Sequence, residues 1–236
     1  MTCAALEPEE ATPKTPSEWV TLTVQAAVVA DALVRGVTEI LHFTTIPKGM
    51  LGILASGFLK SRVRLAADDY LEHILTYNAS NRSRDLPWHD YVNLSISRIN
   101  GWLFQPSRRW HPDVSWATFS FSPTILGDPG VVFTTTNNAY QNECRRAEGL
   151  TGFQRLFDNK VIGYSGRVQS RYATMPSHYT TDPNAEVLYP GQLALTHLQR
   201  IYVLKEADTD EAHGLAAACG RGYPGVEIIW RPEAFK

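Results

Sequence analysis

Apolar residues recur along the chain with two different periods, and the period separates predicted helices from predicted strands. Within residues 19–36, apolar side chains return every three or four positions, the spacing that buries one face of a helix. Within residues 91–97 and 116–121, apolar and polar residues alternate, as in a strand with one buried face. Helices are predicted at residues 19–36, 50–54, 140–157 and 208–219, and strands at residues 39–43, 91–97, 116–121, 131–135, 186–189, 200–204 and 226–230. Strands outnumber helices and do not alternate regularly with them, so we expect an α+β fold with a mostly antiparallel sheet.

The composition is that of a folded globular protein. The 236 residues are 44% hydrophobic and 19% charged. The 22 basic and 24 acidic residues leave a net charge of −2, which excludes nucleic-acid binding by bulk charge but not by a local basic groove. Residues 1–17 are rich in glutamate and proline, so we predict a flexible tail there and a single domain at 18–236. The sequence has neither a secretory-signal pattern nor an apolar run that would span a bilayer, and we predict a cytoplasmic protein without a membrane partner.

Common cofactor and catalytic motifs give no support for a classical nucleotide-binding or hydrolase fold. Residues 220–225 match GxGxxG, but they follow a predicted helix and precede a predicted strand, which is the reverse of the order in a Rossmann fold. The sequence has no GxxxxGK[ST] and no GxSxG, so we predict no Rossmann fold, no P-loop and no nucleophile elbow. Cys3, Cys144 and Cys219 form no CxxC pair, and the seven histidines form no HExxH. We therefore predict neither a metal site nor a disulfide scaffold.

Two polar features are candidates for a site. His42 and Thr44 lie two residues apart on a predicted strand and so share a face, where both could hold one polar ligand. A histidine that satisfies a backbone carbonyl in the core is the commoner case. Glu186 follows a proline-containing loop and opens an apolar strand. It is either a charge at a sheet edge, which is usual, or a carboxylate aimed into a cleft, where it would bond a ribose hydroxyl and stabilise a developing cation.

A third feature combines basic and aromatic residues. Residues 145–171 contain six basic and two acidic side chains, and Tyr164, Tyr172 and Tyr179 lie within or just after them. Basic groups follow phosphates and aromatic faces stack on bases, so the pattern is typical of binding to single-stranded nucleic acid. A solvated helix face followed by core tyrosines explains it equally well.

Taken in chain order, these segments resemble the DarT toxins, bacterial ADP-ribosyltransferases that attach ADP-ribose from NAD to a base in single-stranded DNA. The resemblance covers residues 36–204. It rests on His42-Phe43-Thr44, the helix ending at Gly57, the strand at 91–97, Trp116 with residues 131–134, and the segment 182–188. It implies an ADP-ribosyltransferase-like fold, in which helices flank a mostly antiparallel, split central sheet.

The resemblance also implies residue roles. Glu186 would be the catalytic glutamate and Arg98 the catalytic arginine, with Arg108 or Arg109 as alternatives. NAD, the co-substrate, would bind at His42, Phe43, Thr44, Gly57 and Tyr91. The single-stranded DNA would contact Arg145, Arg146, Arg167, Arg171, Tyr172, His178 and Tyr179, and residues 178–184 would form the substrate-reading loop. No metal is implied.

Thymidine-modifying members of that family typically read YVPFYF at the strand where this chain reads YVNLSI. This difference places the chain closer to the guanosine-modifying branch. The resemblance further implies the toxin of a toxin–antitoxin system, whose cognate antitoxin removes ADP-ribose from DNA. Two alternatives stay open: an ADP-ribosyltransferase acting on RNA or protein, and an inactive binder of single-stranded nucleic acid.

Overall fold

The computed structural model describes residues 16–66, 87–220, 223 and 225–236 of the chain. All but the last two residues of the predicted tail, 1–17, lie outside this part. The helices are α1 (Pro16–Val34), α2 (Lys48–Ser56), α3 (Arg62–Ala66), α4 (Gly101–Trp110), α5 (Gly149–Arg155) and α6 (Thr209–Ala218). The strands are β1 (Ile40–Ile46), β2 (Phe58–Lys60), β3 (Tyr91–Ile96), β4 (Ser115–Phe121), β5 (Val132–Thr134), β6 (Arg146–Glu148), β7 (Lys160–Ile162), β8 (Val168–Ser170), β9 (Glu186–Pro190), β10 (Gln192–Ala194), β11 (Leu198–Val203) and β12 (Glu227–Trp230).

Eight strands form one sheet in the order β12-β11-β4-β1-β3-β9-β5-β6. All neighbouring strands run antiparallel except β11 and β12, which are parallel. Two small antiparallel pairs, β2 with β10 and β7 with β8, stand beside it. The α+β class and the mostly antiparallel sheet are therefore confirmed.

The sheet divides at β3, which changes partner along its length. Its first four residues, from Tyr91 to Leu94, pair with β9. Only its last two, Ser95 and Ile96, pair with β1. Beyond these pairs the C-terminal part of β1 and the N-terminal part of β3 diverge. A gap therefore lies between these two strands in the centre of the sheet. A split of this kind leaves backbone and side-chain polar groups facing a gap instead of a neighbouring strand.

Alternation along β1 sends its side chains into two cores. Ile40 and Ile46 belong to the larger core, which α1, α2 and α6 cover. Leu41 and Phe43 face the other way, into a smaller core built with Phe104 of α4, Trp116, Tyr202 and Phe235. Phe104 packs edge-on against both Phe43 and Trp116, with ring centroids 5.2 and 5.4 Å apart. The smaller core thus holds α4 against β1, beside the gap between β1 and β3.

Phe235 closes this smaller core from the C-terminal side, so its removal tests that packing. It is only 2% exposed, and its ring centroid lies 5.5 Å from that of Phe104. We expect Phe235→Ala to lower the free energy of unfolding by about 3 kcal/mol, through lost burial and a cavity, measured by urea titration. Leu33→Ala, which removes an exposed side chain of α1, is the control and changes it by less than about 0.5 kcal/mol. Equal effects of the two substitutions would contradict the packing.

The helix predicted at residues 140–157 is wrong over most of its length. Only Gly149–Arg155 is helical, and Arg146–Glu148 forms the edge strand β6. Gly149 between them has φ of 65°, a left-handed conformation that turns the chain from strand to helix and that glycine adopts without strain. Helix α4 has no counterpart among the predicted helices, because Pro106 and the polar residues after it conceal its apolar spacing.

Candidate active site

A cleft of about 290 Å³ opens where β1 and β3 diverge. This volume is at the lower end of the range for ligand pockets, which runs from about 300 to 1,000 Å³. Its walls are formed by β1, β3, the segments around α3 and Trp88, the start of α4 and the first residue of β9. The side chains that matter for chemistry are His42, Tyr91, Asn93, Asn137 and Glu186.

Glu186 is a buried carboxylate held by three nitrogen donors. It is 4% exposed and lies opposite Thr134 in the pairing of β9 with β5. Asn137 Nδ2 donates to Oε1 at 2.9 Å, and Asn93 Nδ2 donates to Oε2 at 3.2 Å. The backbone N–H of Asn138 also donates to Oε2, at 2.8 Å. These bonds come from two separate places in the chain, β3 and the turn after β5, so they fix the carboxylate in one orientation at the cleft wall.

Arg146 fixes the turn that supplies two of those donors. From β6 its Nε donates to Asn138 Oδ1 and its Nη2 to the Asn138 carbonyl, both at 2.7 Å. The guanidinium also lies 5.3 Å from the ring centroid of Trp88, another residue of the cleft wall. A planar guanidinium that donates two hydrogen bonds to one residue restrains that residue far better than a single hydrogen bond does. Arg146 therefore positions Glu186 through Asn138.

His42 bridges the split in the sheet. Its Nδ1 lies 3.0 Å from the carbonyl oxygen of Asn93 on β3. A carbonyl only accepts, so Nδ1 carries the proton, and Nε2 of the neutral ring is an acceptor. Burial lowers the pKa of His42, which favours this neutral form. The cleft thus contains two hydrogen-bond acceptors, Nε2 of His42 and the carboxylate of Glu186.

The lowered pKa of His42 makes stability depend on pH. The unfolded chain takes up a proton near pH 6.5, whereas the folded chain takes it up only at lower pH. Between these two values the unfolded state binds more protons, so the free energy of unfolding falls as the pH falls below about 6.5. We expect urea titrations to show this decline, and His42→Gln to weaken it. His213→Gln, at an exposed position of α6, should keep the wild-type dependence. An equal decline in His42→Gln would contradict the assignment.

Comparison with known proteins identifies the family. The family model described as "DarT: ssDNA thymidine ADP-ribosyltransferase, DarT" matches residues 41–229, most of the chain. The chain belongs to the DarT family. It is accordingly an NAD-dependent ADP-ribosyltransferase of single-stranded DNA. No curated protein shows a significant match to the chain.

Solved DarT structures share the fold. Thermus sp. 2.9 DarT in complex with NAD+ superposes with a TM-score of 0.56 at 18% identity, over 84% of this chain and 98% of that one. The same protein in complex with ADP-ribosylated ssDNA gives 0.57 at 16% identity, over 84% and 96%. Thermosipho africanus DarTG in complex with ADP-ribose gives 0.53 at 16% identity, over 84% of this chain and 51% of that one. The predicted ADP-ribosyltransferase-like fold is thereby confirmed.

Three of the five residues that the DarT resemblance assigns to NAD line the cleft: His42, Phe43 and Tyr91. The other two lie elsewhere in the described structure. Thr44 is 5% exposed, and α2 packs so closely over it that a Cβ at Gly49 would collide with its hydroxyl. Gly57 caps the end of α2 with φ of 80° and donates its N–H to Ile53. The hydroxyl of Thr44 therefore does not share the cleft with His42.

The candidate arginines also lie outside the cleft wall that the described residues form. Arg98 donates from Nη2 to the Thr180 carbonyl at 3.0 Å, and its guanidinium lies 4.6 Å from the ring centroid of Tyr179. Burial lowers its pKa. Arg108 and Arg109 are exposed in the last turn of α4. None of these three arginines lines the cleft, whereas Arg62 at the start of α3 does. A catalytic role for Arg98, Arg108 or Arg109 stays a prediction.

The residues predicted to contact DNA divide into two groups. Arg145, Arg167 and Tyr172 are exposed, as a nucleic-acid contact requires. Arg171 is instead directed into the chain, where it donates to the carbonyls of Tyr179 at 2.6 Å and Pro176 at 2.9 Å. Arg146 likewise uses its donors on Asn138. These two arginines are half-buried and bonded within the chain, and their contact with DNA stays a prediction.

Only the first residues of the predicted substrate-reading loop, residues 178–184, reach the protein surface. His178 and Tyr179 are half-buried and pack edge-on, with ring centroids 4.7 Å apart. Asp182 is fully buried, accepting from the hydroxyl of Thr136 at 2.7 Å and from the backbone N–H of Asn184 at 2.8 Å. The second half of the segment therefore anchors β9 and, with it, Glu186.

Sequence reasoning missed the asparagines around Glu186. Asn93 was visible only as a polar residue at an alternating position of a strand. Asn137 and Asn138 form a tandem directly after the threonines that end β5, which is the one signal that could have marked a polar turn. Nothing in the sequence connects that turn to Glu186, which follows about fifty residues later.

The described residues contain neither a candidate metal site nor a helix that could span a membrane. No group of three or more His, Cys, Asp or Glu side chains there is arranged to hold a metal ion. None of the helices in the same part of the chain has the length and apolar character needed to cross a membrane. The cytoplasmic location stays a prediction.

Proposed function

We propose that the chain transfers ADP-ribose from NAD to guanine in single-stranded DNA, with Glu186 as the catalytic carboxylate. The observation that carries the proposal is the geometry of Glu186. It is a buried, triply hydrogen-bonded carboxylate in the wall of a cleft that also contains the acceptor nitrogen of His42. A carboxylate fixed in this way needs no reorganisation when positive charge develops beside it.

NAD supplies nicotinamide as a leaving group on an anomeric carbon. The bond from C1′ to the nicotinamide nitrogen breaks and its electron pair leaves with nicotinamide. A nitrogen of the base then bonds to C1′ and loses a proton. Glu186 would accept a hydrogen bond from a hydroxyl of that ribose and stabilise the positive charge at C1′.

The other cleft residues fit the binding of a dinucleotide. His42 Nε2 is an acceptor and suits a ribose hydroxyl. Trp88 and Tyr91, packed edge-on with ring centroids 5.1 Å apart, offer aromatic surface to a nicotinamide or adenine ring. Because the cleft volume is smaller than a whole dinucleotide requires, we infer that part of NAD lies along the open side.

For Arg98 we propose a positioning role. Its contacts with Thr180 and Tyr179 hold the start of the segment that leads into β9. This role explains why an arginine belongs there although its guanidinium is outside the cleft. Polarisation of the base by Arg98 stays a prediction that requires the bound DNA to reach it.

We propose guanine rather than thymine as the acceptor because β3 reads YVNLSI, which differs from the corresponding strand of thymidine-modifying members. The matched family model is described as thymidine-modifying, which makes thymine the alternative. Extrusion of the target base costs least in a single strand, so either base would be taken from unpaired DNA.

The test is incubation with NAD and four single-stranded oligonucleotides, each rich in one base, followed by intact-mass analysis. We expect one added ADP-ribose on the guanine-rich strand. Addition only to the thymine-rich strand would overturn the choice of base. Nicotinamide release without a modified oligonucleotide would favour RNA or protein as acceptor, and DNA binding without nicotinamide release would favour an inactive binder.

We further propose that the chain is the toxin of a toxin–antitoxin system in the cytoplasm. One of the solved structures that share the fold is a DarTG protein. Survival of the host would require a partner that removes the covalent ADP-ribose mark from DNA, and co-expression with such a glycohydrolase should restore growth that the chain alone suppresses.

A further inference from the structure

Helix α4 presents two exposed tryptophans and two exposed arginines. The exposed fractions of Trp102 and Trp110 are 55% and 68%. Arg108 and Arg109 are exposed beside Trp110, and the helix sequence, GWLFQPSRRW, contains no acidic residue. Tryptophan and arginine are the residue types most enriched at binding surfaces, so their combination on one helix indicates a contact.

The opposite side of α4 packs against the core, so the exposed tryptophans and arginines are not part of that packing. Phe104 and Ser107 are its buried residues, and Phe104 sits in the smaller core. Trp102 and Arg109 are seven residues apart and lie on one face, and the two tryptophans are about 12 Å apart along the axis at 1.5 Å per residue.

This surface begins at the cleft. Asn100, which caps α4 by accepting from the N–H of Leu103 at 3.1 Å, lines the cleft together with Leu103. Trp102 lies between these two residues in the chain. A strand whose target base entered the cleft would therefore leave it next to Trp102 and could continue toward Arg109 and Trp110.

We propose that Trp102, Arg108, Arg109 and Trp110 form an accessory track for the single-stranded DNA that flanks the target base. The inference rests on the proposed function. The four residues supply the two features that single strands require: cations for phosphates and flat aromatic faces on which bases stack without regard to sequence. An acidic or purely apolar partner would leave one of these two features unused.

The test compares a long oligonucleotide, which reaches the track, with a short one centred on the same target base. The double variant Trp102→Ala/Trp110→Ala should lower kcat/KM for the long strand about 10-fold or more, and for the short strand much less. Titration with the long strand should quench tryptophan fluorescence in the wild type and quench it less in the double variant. Arg108→Gln/Arg109→Gln should reduce the salt dependence of binding to the long strand.

Trp230→Ala is the matched control, because Trp230 is 50% exposed on the edge strand β12, far along the sheet from the cleft strands. It should keep the wild-type ratio of long to short strands. An unchanged ratio in the tryptophan double variant would overturn the track. So would equal losses on both strands in the arginine variant, which would mark a catalytic arginine instead. If the wild type modifies no DNA of either length, the proposed function itself fails, which is a distinct result.

Discussion

Glu186→Gln is expected to lower nicotinamide release from NAD, and ADP-ribose transfer to DNA, about 100-fold or more. Glutamine keeps the shape of the side chain but removes the charge that would stabilise C1′. It also turns an NH₂ group toward the nitrogen donors that now bond Oε1 and Oε2. Initial rates of nicotinamide release and intact mass of the oligonucleotide measure the two losses.

Glu148→Gln provides the control, because Glu148 is an exposed carboxylate on the edge strand β6, separated from β9 by β5, and should be replaced without loss of rate. Thermal unfolding of both variants must remain cooperative for the comparison to hold. A well-folded Glu186→Gln protein with a rate within about threefold of wild type would exclude this carboxylate as the catalytic group, since such a change is less than 1 kcal/mol.

Arg146→Lys is expected to lower kcat about 10- to 100-fold, since a small displacement of a catalytic group is enough for such a loss. Lysine keeps the positive charge but cannot grip Asn138 at both its side chain and its carbonyl, so the turn that holds Glu186 loosens. Measurement of nicotinamide release without DNA separates this effect from DNA binding. A positioning role lowers that rate, whereas a phosphate contact would not.

Arg145→Lys is the matched control at the adjacent position, where the guanidinium is exposed and donates to the carbonyl of Asn142 at 3.1 Å. It should leave nicotinamide release unchanged. If Arg146→Lys loses affinity for DNA but releases nicotinamide at the wild-type rate, Arg146 is a DNA contact, as the sequence pattern first indicated, and its support of Glu186 is not needed for catalysis.

Periodicity determined much of the fold. Four of the elements, β3, β4, β9 and α6, were predictable because their apolar residues recur with the period of a strand or a helix. The prediction was wrong at 140–157, where the left-handed Gly149 divides a strand from a short helix. It found no helix at α4, where Pro106 and polar residues hide the pattern.

The sequence by itself also indicated the family and singled out Glu186 as the candidate catalytic residue, because His42, the strand β3 and the segment before Glu186 occur in order and are local signals. Only the tertiary structure decided what surrounds that glutamate. Asn93, Asn138 and Arg146 come together because β3, β9, β5 and β6 are neighbours in the sheet, and pairing between distant strands leaves no trace in local spacing. The same packing placed Thr44 under α2 and turned Arg171 inward. Local sequence carries the propensity of each residue, whereas a site is a set of contacts that exist only once the sheet has formed.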